Sequence, residues 1–440
     1  MDGYYLPLTQ DGCHIYKAGS NNAIPPVFDK NLYLTVSCNC GMFKKALTAL
    51  LVLVSFCIDT GAQEEFVPQQ AKFITKLPFT QLTGGVIIVK AQLDGQLSDT
   101  LNFVLDTGSG GISLDSSVVE KYHLQVTQTN NVIRGIAGMK QVSFSYGHSL
   151  HLADLKVDSL AFHINDYELL GSVYGIRVDG IIGYSFLRRY IVKIDYDDQV
   201  IEIYTPGAIR YPRGGFLMHP GFTTLPTPYL TVQDAKQVMG RFIFDSGAGL
   251  CFLLSKEFVE DSSLFEKHKK MYPTQTEGLG GKKLMHISVL KSITVGPFKF
   301  RKVPAFIFSD DYNVTSYPQM GGLIGNDLLR RFNVILNYPD QAIHLKPNTH
   351  YNDVFDYSYT GLSIYQINNQ IQVMDIIKGS PGDIAGFQSG DIIFAVGSHV
   401  SKDIQVFKNI LQGARGHIKV VVLRNGSPVE LDLKIKNILR

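Results

Sequence analysis

A duplication constrains this chain more than any other feature. Residues 182–203 read IGYSFLRRYIVKIDYDDQVIEI and residues 324–345 read IGNDLLRRFNVILNYPDQAIHL, identical or similar at most positions. Each block opens on an apolar pair and a glycine, Ile181-Ile182-Gly183 or Leu323-Ile324-Gly325. A short helix through Leu-Arg-Arg is predicted next, then a hairpin turning at Asp198-Gln199 or Asp340-Gln341. A second shared block lies upstream of each. Asn102-Phe103-Val104-Leu105-Asp106-Thr107-Gly108-Ser109-Gly110 parallels Arg241-Phe242-Ile243-Phe244-Asp245-Ser246-Gly247-Ala248-Gly249. Asp106 and Asp245 stand 139 positions apart and Gly183 and Gly325 stand 142 apart, so the second copy is three residues longer between its blocks. Predicted hairpins precede both blocks, one through Asp94-Gly95 and one across Asp234 to Gly240. Glycine-rich tips, Gly135 to Gly138 and Gly278 to Gly281, fall at equivalent places. The pattern predicts two homologous β-rich lobes.

Each upstream block ends a buried apolar strand on an aspartate, followed by a hydroxyl residue and a glycine. An ionised carboxylate in that position is costly unless something satisfies it. A single Asp-Thr-Gly is an ordinary turn. One in each homologous lobe means more. Two-fold packing brings Asp106 and Asp245 together, and like charges that close hold one proton between them. The ionised partner can take a proton from water while the protonated one polarises a carbonyl. That is general acid–base hydrolysis of an amide, with no metal and no covalent intermediate. Thr107 and Ser246 can hydrogen-bond across the lobes, and Gly108 and Gly247 let backbone N–H groups approach the carboxylates.

On these two motifs per lobe the sequence resembles the aspartic protease family, over roughly residues 70–347. Its length is pepsin-like and its detail retropepsin-like. The resemblance implies a mainly β, bilobal fold, with lobes over 70–208 and 209–347, and an aspartic endopeptidase acting on polypeptides without a cofactor. Asp106 and Asp245 would be the catalytic pair, supported by Thr107, Gly108, Ser246 and Gly247. The tips at Gly135, Gly138, Gly278 and Gly281 would be flaps over the substrate. The first tip has no tyrosine and the chain has no tryptophan, so pepsin's flap contacts do not carry over. Two glycine-rich tips resemble the symmetric retropepsin arrangement instead.

After a polar and aromatic linker, 348–360, the chain reads strand, strand, turn, short helix, strand. Ser380-Pro381 caps the helix, Gly386 stops it, and Asn425-Gly426 turns a final hairpin. The run from Gly379-Ser380-Pro381 to Gly390-Asp391-Ile392-Ile393 resembles a PDZ domain of the bacterial protease-associated type, over 353–440. That likeness implies a sheet edge that takes up a peptide, its terminal carboxylate held in a loop of Gly361, Leu362, Ser363 and Ile364. A structural cap that binds nothing is the other reading.

Residues 1–62 form an N-terminal extension. Met42-Phe43-Lys44-Lys45, the apolar run Ala46 to Phe56 and the small-residue exit Thr60-Gly61-Ala62 match a secretory signal peptide starting at Met42. A core helix competes with that reading. The run is shorter than the roughly 20 residues that span a bilayer. The expectation is an exported protein, periplasmic or extracellular, with membrane attachment only through lipidation of Cys57. Four of the five cysteines precede residue 58, so later residues hold one thiol, Cys251, and neither a disulfide nor a thiolate metal cluster. Cys251 is expected to pack as a small hydrophobe. A formal charge of +2, from 41 basic and 39 acidic residues, excludes a nucleic-acid footprint. His148 and His151 are expected on opposite faces of a strand with no carboxylate nearby, and Lys267 to Lys270 as a solvated stretch. Two alternatives to an enzyme stay open: a peptide-binding protein without turnover, and a scaffold whose working part is the PDZ domain.

Overall fold

A computed structural model describes residues 69–95, 99–222, 224–278, 281–315, 317–355 and 358–438. The predicted signal segment and Cys57 lie outside these residues. Val67–Arg440 forms one compact unit, which contains everything that follows.

The predicted duplication is realised strand for strand. In the first half, Ile87–Leu93, Leu101–Leu105, Gly180–Ile182, Ile112–Asp115, Leu155–Asn165 and Phe144–Leu152 follow one another, and the last pairs back to the first through Leu93 and Leu150. In the second half, Tyr229–Gln233, Gln237–Phe244, Gly322–Ile324, Phe252–Ser255, Phe298–Phe308 and Gly281–Val295 do the same, closing through Val232 and Ile293. Each half is a closed six-stranded barrel, which leaves no free sheet edge around it. In both, the strand that ends on the aspartate runs parallel to the strand of the apolar-apolar-Gly block: Leu105 faces Ile182, and Phe244 faces Ile324. Strands covered on both faces need continuous apolar sequence. Phe252–Ser255 and Gly322–Ile324 are buried at every position.

A further sheet joins the barrels. Its strands run in the order Phe216–Met218, Ala342–Pro347, Phe332–Asn337, Ile191–Asp195, Val200–Tyr204 and Phe73–Gln81, three from each half. The seam is the pairing of Val192 with Leu336 and its neighbours. The hairpins predicted at Asp198-Gln199 and Asp340-Gln341 are both present, with Gln199 and Gln341 at φ +52° and +51°. The hairpin expected across Asp234 to Gly240 turns sooner: Gln233 already faces Gln237, and Gly240 lies within the strand opposite Leu230.

Three other expectations change. Lys267, His268 and Lys270 are exposed as expected, but half-buried Lys269 turns its ammonium to within 2.6 Å of the carboxylate of buried Asp234. His148 does have a carboxylate beside it, because the hairpin folds Asp94 back to 2.5 Å from Nδ1. Residues 348–355 do not hang as a linker but pack on the second lobe. Tyr351 packs edge-on against Phe298 and Phe332 and tilted against Phe300, and the buried Arg331 guanidinium lies 3.9 Å from the Phe355 ring centre.

The C-terminal domain has a sheet in the order Ser358–Tyr359, Ser427–Asn437, Gly416–Arg424, Ile392–Val396, Gln370–Ile376 and Leu362–Ile367. The predicted short helix is Pro381–Ile384, capped by the Ser380 hydroxyl. A longer helix, Ile404–Gly413, was not anticipated. Asp403 caps it, and Ile404, Phe407 and Leu411 turn one apolar face into the domain's core. Among the described residues no helix is long and apolar enough to cross a membrane.

Phe332 is fully buried where the joining sheet, the second barrel and residues 348–355 meet. Phe332→Ala is expected to cost about 3–5 kcal/mol, the range for truncating a buried aromatic. Urea denaturation of parent and variant measures it.

Candidate active site

Asp106 and Asp245 emerge from the two barrels toward each other. Each aspartate's backbone is fixed from behind by the strand of its own apolar-apolar-Gly block. Asp106 N–H donates to Ile182 O at 2.9 Å, and Asp245 N–H to Ile324 O at 3.0 Å. The glycines of those blocks are there because nothing larger fits. A Cβ on Gly183 would lie 2.5 Å from the Ser109 carbonyl oxygen, and one on Gly325 would lie 2.9 Å from that of Ala248.

The hydroxyl residues bind the lobes to each other in a reciprocal set of four bonds. Thr107 Oγ1 donates to Phe244 O at 2.6 Å and accepts from Ser246 N–H at 2.9 Å. Ser246 Oγ donates to Leu105 O at 2.8 Å and accepts from Thr107 N–H at 3.1 Å. Both side chains are buried and fully used. Bonds sealed from water in this way resist local opening, and losing one partner costs about 1–3 kcal/mol.

Gly108 and Gly247 serve twice. Gly108 N–H donates to Asp106 Oδ1 at 2.7 Å, and Gly247 N–H to Asp245 Oδ1 at 2.9 Å. Each glycine also makes room for the opposite aspartate: a Cβ on Gly108 would lie 2.5 Å from the Asp245 carboxyl carbon, and one on Gly247 would collide with the Asp106 carboxyl. The two carboxyl groups therefore share one small space. Burial raises the proton affinity of both. Asp106 is pushed well above the carboxylate range, first by burial, then by the charge of Asp245 and by the hydrogen bond it donates to that neighbour. The same bond, with N–H groups of Gly247 and Ala248, favours the charge on Asp245. The pair therefore titrates as a unit, with the stronger upward push falling on Asp106.

The predicted tips are both hairpin ends. Gly135 faces Gly138 on a two-stranded ribbon, Val132–Gly135 with Gly138–Gln141, and Ile136 at its turn packs against the second lobe's apolar cluster that includes Ile243, Leu253 and Leu323. Gly278 faces Gly281 on the ribbon Tyr272–Gly278 with Gly281–Val295. In the C-terminal domain, Gly361 takes φ +71° and Leu362, Ser363 and Ile364 open the sheet's edge strand. Cys251 is buried as expected; its thiol donates to Asp327 Oδ2 at 3.0 Å, and burial raises its pKa, which disfavours the nucleophilic thiolate.

Sequence reasoning overlooked Tyr338 and Asn326. A cavity of about 260 Å³ is lined by Tyr184, Arg188, Arg189, Phe222, Tyr338 and Gln341. The buried Tyr338 hydroxyl finds no hydrogen-bond partner among the described residues, and burial, then the charge of Asp106, raises its pKa. Asn326 takes a bond from Tyr196 Oη at 2.6 Å and gives one to Gly85 O at 2.5 Å, stitching the lobes behind the dyad. It occupies the repeat position where the first copy has Tyr184, and that departure between the two copies was the available signal. Among the described residues no group of three His, Cys, Asp or Glu side chains is placed to hold a metal ion.

The dyad has a measurable thermodynamic signature. Folding raises the pKa of Asp106 above its unfolded value of about 3.9, so between those two values the folded state binds more protons. Its contribution to stability falls as pH rises through that window and is least above it. Asp106→Asn removes the part of this dependence that Asp106 contributes. The variant is expected to be more stable than the parent at pH 7, the difference closing near pH 3, by urea denaturation at both pH values.

Residues 89–186 and again 230–328 match the family model of the aspartyl protease, and residues 372–425 match that of the PDZ domain. No curated protein matches the chain. Among solved structures, the aspartic proteinase from Irpex lacteus aligns over 63% of this chain and 98% of its own, with a TM-score of 0.40 and 11% identity. Both aspartates, each at the end of its barrel strand, fall inside the two matched segments. The chain thus joins two aspartyl protease domains, one per lobe, to a C-terminal PDZ domain.

Proposed function

We propose that the protein is an aspartic endopeptidase that hydrolyses peptide bonds with Asp106 and Asp245. The observation that carries this is the mutual clearance at the dyad, where each Asp-hydroxyl-Gly turn leaves out a side chain and the opposite carboxyl fills the space. A turn kept for structure alone has no need of that. In the proposed reaction a water between the carboxyls gives a proton to Asp245 as its oxygen attacks the peptide carbonyl carbon. Asp106 gives its proton to the carbonyl oxygen, leaving a neutral tetrahedral diol. As the diol collapses, Asp245 gives its proton to the leaving nitrogen, one diol hydroxyl gives its proton to Asp106, and the C–N bond breaks, so the dyad again holds one proton. Backbone N–H groups of Gly108, Gly247 and Ala248 hold the dyad in place without taking part in transfer.

The substrate is an extended polypeptide laid between the lobes, with the tips at Gly135–Gly138 and Gly278–Gly281 as flaps. The edge strand from Leu362 favours recognition of a peptide, its C-terminal carboxylate at Gly361–Ile364, by the PDZ domain. The signal-like segment at 42–62 favours export to the periplasm or outside the cell, with Cys57 as the only route to a lipid anchor.

The test is incubation of the purified protein with a mixed peptide library across pH, products read by mass spectrometry. Asp106→Asn and Asp245→Asn are each expected to lose cleavage by at least a thousandfold while staying folded. The parent's rate is expected to be bell-shaped in pH. Its alkaline limb, where Asp106 loses the shared proton, should lie above the ordinary carboxylate range. Cleavage retained in both variants would overturn the role of the dyad, and a parent that binds peptides but cleaves none at any pH would leave a peptide-binding protein as the better reading.

A further inference from the structure

The free edge of the PDZ sheet is the strand Leu362–Ile367, and the helix Ile404–Gly413 lies beside it. A peptide added to that edge would run between the two. Part of that space is already taken by the first lobe. Gly175 ends the helix Glu168–Tyr174 in a left-handed conformation, φ +73°, and is wedged between both walls. A Cβ on it would collide with Ile404 and lie 2.5 Å from Gln366 Oε1. The carbonyls just before it are held by the PDZ helix: Lys408 Nζ donates to Val173 O, and Gln405 Nε2 donates to Tyr174 O at 2.8 Å.

Gln405 reaches further. Its Oε1 accepts from both the N–H and the hydroxyl of Thr83, each at 2.7 Å. Thr83 opens the turn Thr83–Gly85, which presses on the loop that carries Asp245. Gly84, at φ +79°, passes so close that a Cβ there would lie 2.7 Å from Gly249 Cα. Tyr174 rests on the same glycine, its hydroxyl 3.1 Å from where a Gly249 Cβ would stand. One PDZ side chain thus ties together two first-lobe segments, and both brace the Asp245–Gly249 turn. Elsewhere Asp375 accepts from Gln275 Nε2 at 3.2 Å and pairs with Lys282, both on the second tip's ribbon.

We infer that the PDZ domain is a clamp on the catalytic cleft, with Gln405 as a positioning residue that acts on the dyad through Thr83 and Tyr174. A peptide enters the PDZ groove only by displacing residues 173–175, which slackens the wall behind Asp245. The inference rests on the dyad being catalytic. A module that merely recruits substrate would leave cleavage of a short peptide untouched.

The experiment uses the full chain and a fluorogenic octapeptide taken from the library products, too short to occupy the cleft and the PDZ groove together. Gln405→Ala is expected to lower kcat at least fivefold with KM within twofold of the parent. Glu430→Gln, on the exposed far strand, should change neither. Gln405→Glu keeps the acceptor for Thr83 and loses the donor to Tyr174, so its kcat should fall between the two and guard against a folding defect in the alanine variant. Hydrogen exchange at 82–85 and 173–176 should quicken in Gln405→Ala. Unchanged kcat in the alanine variant overturns the clamp. If the parent cleaves nothing at any pH, the catalytic reading has failed, and exchange alone then decides: unchanged protection at both segments overturns the clamp too.

Discussion

Two carboxyl groups cannot face each other across a buried seam unless a proton lies between them, and the surrounding backbone is committed to that arrangement. Thr107 and Ser246 exchange four hydrogen bonds across the seam with no atom left over. The separation of the two turns is therefore set by backbone and hydroxyl geometry rather than by the carboxyls themselves. The electrostatic strain of the pair is borne by a structure that does not depend on their attraction. This explains why the barrels close as they do: each strand that ends on an aspartate is held in parallel register by the strand of the second motif, which fixes where the turn begins.

Around this seam the molecule is asymmetric. On the first lobe the repeat position after the glycine is Tyr184, beside the cavity that also holds Tyr338. On the second it is Asn326, which turns inward and binds Gly85. The PDZ domain sits on one side of this pseudo-symmetric pair, touching the helix Glu168–Tyr174, the turn at Thr83 and the ribbon of the second tip. Duplication supplied equal halves; the third domain makes them unequal.

Much of this was legible in sequence because the informative signals were doubled. A single Asp-Thr-Gly says little, whereas a matching Asp-Ser-Gly 139 residues later, each followed by its own apolar-apolar-Gly block, specifies topology and dyad together. Contacts made once were illegible. Nothing local announces that Asp94 folds back to His148 or that Lys269 reaches buried Asp234, because the partners meet only through barrel closure. Residues 348–355 read as a linker because their aromatics have no periodicity, yet Tyr351 and Phe355 find partners in the second lobe. The helix Ile404–Gly413 did carry a signal, an Asp cap followed by apolar residues at intervals of three and four, and it was overlooked among neighbouring strand patterns.

The joining sheet has a consequence for how the protein comes into being. Its central pairing sets Ile191–Asp195 against Phe332–Asn337, so the seam forms only after more than three hundred residues have been made. A ribosome-bound chain halted before residue 245 would carry Asp106 alone, with no counterpart to lend or borrow a hydrogen ion. The order of synthesis thus keeps the two acids apart until both barrels exist, while the C-terminal PDZ domain is still to be made.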